Sequence, residues 1–204
     1  MKTFRIGILG GSFDPVHIGH VSLGRAAVSE AELDKLIVMP AYIQPFKQGK
    51  QVSDDEHRLA MTRLAFEDVP RAEVSSFEIG RMCISYTFDT LEAMREQYPD
   101  GEIFFITGAD SFVKIDTWYK GIELLTHFSF IVSARPGCEE YETAQKIKEY
   151  EEKYHTRILK LAAQMPDISS TELRLMYGEG KTSDGLVPEK AERYITEHGL
   201  YQRD

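Results

Sequence analysis

Two histidines, His17 and His20, stand three residues apart behind a paired glycine, in the run Gly10-Gly11-Ser12-Phe13-Asp14-Pro15-Val16-His17-Ile18-Gly19-His20. On a helix that spacing puts both imidazoles on one face of the first turn, able to donate hydrogen bonds to one anion. Glycines let a backbone approach a ligand closely, and the helix that follows offers unpaired N–H groups and the positive end of its dipole. This is a phosphate-binding constellation, and an ATP phosphate is the expected guest. The competing interpretation is a pair of histidines satisfied by nearby backbone.

Three other chemistries fail on spacing. Gly7-Ile8-Leu9-Gly10-Gly11-Ser12 lacks G-x-G-x-x-G, which removes the main support for a nicotinamide dehydrogenase. Gly180-Lys181-Thr182 resembles the end of a Walker A loop, but Leu175 occupies the place of the required upstream glycine. His17 and His20 lack the Cys or His cluster that would complete a zinc site, so no protein-held metal is expected.

Strand ends must position this chemistry. Phe4 to Leu9, Leu36 to Met39, Ile103 to Thr107 and Phe128 to Ser133 read as buried strands of parallel type, and Ile158 to Leu161 as a last strand. Helices are expected between them at Ile18 to Glu30, Asp54 to Phe66, Tyr86 to Gln97 and Glu140 to Tyr154. Ser53 with Glu56 and Ser169 with Glu172 have capping-box spacing, Pro188 suits a first helical position, and Gly199 a helix stop. The charged run from Glu139 to Lys153 reads as a solvated helix face, with Ala144, Ile147 and Tyr154 on one side. The alternation predicts an α/β fold, a doubly wound parallel sheet whose ligands bind beyond the carboxyl ends of the strands.

Composition bounds the partners. The 204 residues are 42% hydrophobic and no linker divides them, which predicts a single domain over 1–204. A formal net charge of −9 argues against non-specific nucleic-acid binding, so a phosphate site must be locally basic. Two cysteines, no signal-peptide pattern and no apolar run of the ~20 residues that cross a bilayer predict a cytoplasmic protein without a membrane partner. A homo-oligomer stays open, as does the role of the loop from Gly178 to Gly185.

The His17-Ile18-Gly19-His20 tetrapeptide resembles the signature of the nucleotidylyltransferase superfamily, with its Rossmann-like fold. Ile168-Ser169-Ser170-Thr171-Glu172-Leu173-Arg174 is similar to its second motif, ISSTxxR. A class I aminoacyl-tRNA synthetase, which shares the first motif, is disfavoured by the short chain and by the absence of a KMSKS-type loop. Pro40 to Lys47, Ser85-Tyr86-Thr87 with Thr90-Leu91, Gly108-Ala109-Asp110, Trp118-Tyr119, Arg135-Pro136-Gly137 and Gly199-Leu200-Tyr201 resemble bacterial nicotinate-nucleotide adenylyltransferases over nearly the whole chain. Gln44 and Phe46 depart from the family's Pro and His, and Ser12 from its Thr.

The resemblance implies that the 5′-phosphate of nicotinate mononucleotide attacks the α phosphorus of ATP and releases pyrophosphate, in NAD biosynthesis. His17, His20, Lys47 and Arg174 would be catalytic, and Mg²⁺ would accompany ATP. Gly10, Gly11, Ser12, Phe13, Gly108, Asp110, Ser169, Ser170 and Thr171 would bind ATP. Thr87, Trp118, Tyr119 and Arg135 would bind the mononucleotide, Trp118 by stacking. Each has a plainer alternative: Lys47 a loop cation, Trp118 a core aromatic, Thr87 a first-turn residue after a Ser85 cap, Arg135 a solvated side chain, Asp110 a cap. Two other functions stay in view: a sister transferase acting on nicotinamide mononucleotide or phosphopantetheine, and a nucleotide-binding regulatory module without turnover.

Overall fold

The computed structural model describes residues 3–47, 52–133 and 138–202, apart from the side chains of 47 and 138–140. In chain order the strands are β1 (Phe4–Gly11), β2 (Lys35–Pro40), β3 (Ala72–Val74), β4 (Gly101–Gly108), β5 (Ser129–Ser133) and β6 (Ile158–Leu161). The helices are α1 (Ile18–Glu30), α2 (Asp55–Phe66), α3 (Phe77–Arg81), α4 (Thr87–Gln97), α5 (Ala109–Phe112), α6 (Gly121–His127), α7 (Cys138–Tyr154), α8 (Ser170–Gly178) and α9 (Glu189–Glu197). All strand pairings are parallel, in the order β3-β2-β1-β4-β5-β6. The chain therefore winds one way from β1 to β3 and the other from β4 to β6. The expected doubly wound sheet is present, and its crevice opens where β1 and β4 end, at Gly10-Gly11 and Gly108.

Side chains that alternate along these strands build a core on each face. Ile6, Ile8, Ile103 and Phe105 face one way, toward α4, α6 and α7. Leu9, Phe104 and Ile106 face the other, toward α1, α2 and α9. No helix among the described residues is long and apolar enough to cross a membrane.

Several expected details differ. Helix α2 starts at Asp55 with Asp54 at its N-cap, so Ser53 does not form a capping box with Glu56; its backbone serves Arg58 and Asp14 instead. Helix α4 has Tyr86 rather than Ser85 at its N-cap, and Ser85 Oγ accepts from the Tyr42 N–H. Pro188 is the N-cap of α9, one residue before the position expected. Ser169 does cap α8, accepting from the Thr171 N–H, and Gly199 follows α9 at φ +59°, a left-handed conformation that suits glycine. Strand β3 and helices α3, α5 and α6 lie outside the sequence expectation. β3 is only three residues long and no residue in it is buried, so it carries no apolar run. On α7 the fully buried Tyr150 joins Ile147 and Tyr154.

Candidate active site

A cavity of about 770 Å³ occupies the crevice. From the β1 side it is lined by Gly10, Gly11, Ser12, Phe13 and His20, and from the β4 side by Gly108 and Asp110. Thr87, Trp118 and Tyr119 form another wall, with Ser170 at the rim. The glycine loop, Ser12 and His20, expected to bind phosphate, thus share one space with Thr87, Trp118 and Tyr119, expected to bind a pyridine. His17, Ser169, Thr171 and Arg174 are not part of its lining. Arg135 and the Lys47 side chain lie outside the described residues.

The two histidines stack, with ring centroids 3.7 Å apart. The backbone N–H of His17 donates to His20 Nδ1 at 3.3 Å. With Nδ1 accepting, a neutral His20 carries its proton on Nε2, which makes Nε2 the donor. Phe13 meets the His20 ring edge-on at 4.9 Å. His17 is only 6% exposed and its Nδ1 is a buried atom without a partner among the described residues. Burial holds its pKa down to about 4, so it is neutral near pH 7. Gly19 is required by this packing, since a Cβ there would lie 2.9 Å from His17 Nδ1.

The second motif closes onto the first. Ser170 Oγ donates to the Pro15 carbonyl at 3.0 Å, and Arg174 Nη1 donates to the Asp14 carbonyl at 2.6 Å. Arg174 Nη2 also donates to Thr171 Oγ1 at 3.2 Å, which orders the start of α8. The chain's end joins in: Tyr201 donates its hydroxyl proton to Asp14 Oδ1 at 2.8 Å, and burial with the Asp14 charge pushes that phenol well above its ordinary range. The Gly178–Gly185 loop leads to Leu186, whose carbonyl accepts the Ile18 N–H at the head of α1.

Three supporting residues were missed from sequence. Arg58 is 1% exposed and donates to the carbonyls of Ser12 at 2.8 Å, Ser53 at 3.0 Å and Tyr42 at 3.4 Å, with Asp55 as its ion-pair partner. Its signal was available: Arg58, Met61, Thr62 and Ala65 share the buried face of α2 at helical spacing. Glu78 is a buried carboxyl in the cavity wall whose Oε1 accepts from Thr90 Oγ1 at 2.6 Å. Burial raises its pKa, opposed by hydroxyl bonds from Thr90 and Ser85. Gln44 Oε1 accepts from Ser12 Oγ at 2.9 Å, so two of the departures from the family pattern touch each other.

A cytidylyltransferase-like family model matches residues 8–176. The chain is 38% identical over 204 residues to a protein of Thermoanaerobacter sp. (strain X514) named probable nicotinate-nucleotide adenylyltransferase, covering 100% of this chain and 97% of that one. It is 36% identical to the nicotinate-nucleotide adenylyltransferase of Bacillus subtilis (strain 168), over 97% of this chain and 98% of the relative. Among solved structures, Plasmodium falciparum nicotinic acid mononucleotide adenylyltransferase complexed with NaAD superposes with a TM-score of 0.79 at 19% identity, covering 97% of each chain, a likeness of fold.

Proposed function

The chain belongs to the cytidylyltransferase-like family, and we propose that it transfers the adenylyl group of ATP to nicotinate mononucleotide, giving nicotinate adenine dinucleotide and pyrophosphate in NAD biosynthesis. Identity of 38% along the full chain with a relative named for that reaction carries the assignment. The cleft's chemistry agrees with it. The attacking 5′-phosphate is already an anion, so no base is needed and no covalent enzyme intermediate arises. What the protein must supply is alignment and stabilisation of developing charge.

In this reading His20 Nε2–H donates to the α and β phosphates and Ser12 holds them through its backbone N–H, its hydroxyl proton being committed to Gln44 Oε1, with neutral His17 beneath them. The N–H groups after Gly10-Gly11 and at the start of α1 add fixed donors. Arg174 and the Ser169–Thr171 turn face the leaving pyrophosphate, and Lys47 bridges toward the incoming phosphate. Asp110 binds a ribose hydroxyl at the end of β4. Thr87 and a backbone N–H near Tyr119 hold the nicotinate carboxylate, Trp118 stacks on the ring, and Arg135 completes the mononucleotide subsite.

Among the described residues no group of three or more His, Cys, Asp or Glu could hold a metal ion. The cavity, lined by the Ser12 hydroxyl and by backbone at Gly10 and Gly11, suits a Mg²⁺ carried chiefly by phosphate oxygens and water. Such an ion would neutralise charge on the departing pyrophosphate.

Pyrophosphate release, measured with ATP and each candidate phosphate in turn, tests the reading. Release with nicotinate mononucleotide is expected. Release only with nicotinamide mononucleotide or phosphopantetheine would replace it with the sister transferase, and absence of release with every acceptor would replace it with the regulatory module.

A further inference from the structure

Phe46 is the one departure from the family pattern that leaves a large apolar ring in water. It lies in the 3₁₀ turn Pro45–Lys47 and is 64% exposed, yet it lines the cavity. Its ring centroid is 6.0 Å from that of Trp118, with the planes inclined at 57°. Trp118 is backed by Phe105, which meets its ring edge-on at 6.1 Å, and its backbone is held where the Trp118 main-chain N–H donates to the Ile115 carbonyl at 3.0 Å. The segment carrying Phe46 is anchored just before it, by Ser12 Oγ on Gln44 and by the bridge between Ile43 and Ile84.

We propose that Phe46 is a second aromatic wall of the mononucleotide subsite, closing on the face of the pyridine ring opposite Trp118. The proposal rests on the reading that this cavity takes nicotinate mononucleotide. In that molecule the ring nitrogen is bonded to ribose, so the ring is a planar pyridinium cation. Aromatic faces attract such a ring through both stacking and cation–π contact. Two ring contacts of ~3.5 Å each need about 7 Å between the outer rings, so Phe46 must swing outward by about 1 Å and turn toward parallel. An exposed ring beyond an anchored Gln44 has the freedom to do so. A polar residue at this position would cover the ring less well, and phenylalanine gains its own burial only when substrate arrives.

Trp118 is the chain's only tryptophan, so its fluorescence reports this subsite alone. The experiment titrates nicotinate mononucleotide into the parent and into Phe46→Ala, Phe46→Leu and Phe46→Tyr proteins, and follows KM for both substrates. Phe46→Ala is expected to raise the mononucleotide Kd and KM about tenfold, with kcat and the KM for ATP within about twofold of the parent. Phe46→Tyr should keep parental affinity and Phe46→Leu should behave like Phe46→Ala, because an aromatic face is what is needed. Unchanged titration by Phe46→Ala, or full affinity in Phe46→Leu, would overturn the proposal while leaving the reaction intact. Parent protein that turns over ATP but whose Trp118 emission ignores the mononucleotide would overturn the substrate reading and the Phe46 assignment together.

Discussion

Arg174 Nη1 sits 2.6 Å from the Asp14 carbonyl oxygen, so the last motif residue is bonded to the loop that carries the first motif. The contact spans 160 residues and brings α8 to the mouth of the phosphate loop. Arg174→Ala should therefore weaken ATP and pyrophosphate binding by about tenfold or more, since a hydrogen bond to a charged group contributes about 1.5 to 3 kcal/mol. Mononucleotide affinity should change far less. Calorimetric titration of each ligand checks this, and equal ATP affinity in parent and variant would remove Arg174 from the site.

His17 gives stability a pH dependence of known sign. Its folded pKa of about 4 lies below the ordinary 6.5 because burial disfavours the imidazolium. Between those values the unfolded chain binds a proton that the native chain refuses, so stability is full above pH 6.5, falls as pH drops toward 4, and levels off below. The loss amounts to about 3 kcal/mol. His17→Gln removes this titration, and denaturant unfolding across pH 4 to 7 should show a flatter profile than the parent. Parallel profiles would contradict the buried, neutral His17.

His20 lines the cavity while its Nδ1 accepts the His17 N–H at the head of α1, and its expected role is in the reaction. His20→Ala should lower turnover by about 10² to 10³, the usual cost of removing one preorganised donor to developing charge, with the melting temperature nearly unchanged. Turnover within a few-fold of the parent would refute the role, and a large drop in Tm would favour a structural histidine.

Arg58 has the opposite signature. Arg58→Met leaves the carbonyls of Ser12, Ser53 and Tyr42 without their donor and Asp55 without its partner. A loss of about 3 to 5 kcal/mol is expected, read as a lower urea midpoint. A midpoint equal to the parent's would show that Arg58 does not hold the phosphate loop.

The contrast between His20 and Arg58 marks what a sequence can disclose. The histidines, Ser169 and Gly199 act through neighbours within a few residues, so spacing alone identifies them. β1, β2, β4 and β5 are apolar runs buried on both faces, and their ends locate the crevice. Arg58 falls on the helical spacing of Met61 and Ala65, which marks its face, but its three carbonyl partners come from loops folded back over it. Glu78 likewise needs Thr90 and Ser85 brought together by two helices. Ser53 and Ser85 had the right residue types for caps, but α2 begins one residue later behind Asp54, and Ser85 Oγ accepts from the Tyr42 N–H. β3 is three residues long and pairs with β2, a contact between segments far apart in sequence that leaves little local trace.

The substrate is tested most directly by kcat/KM for pyrophosphate release with nicotinate and nicotinamide mononucleotides side by side. A carboxylate only accepts hydrogen bonds, which suits the Thr87 hydroxyl and a backbone N–H, whereas an amide turns an NH₂ toward those donors and leaves them unpaired. That mismatch costs about 1 to 3 kcal/mol, so the acid should win by at least about tenfold, and Thr87→Val should narrow the gap. Comparable kcat/KM for the two mononucleotides would contradict the nicotinate assignment and leave an adenylyltransferase of broader choice.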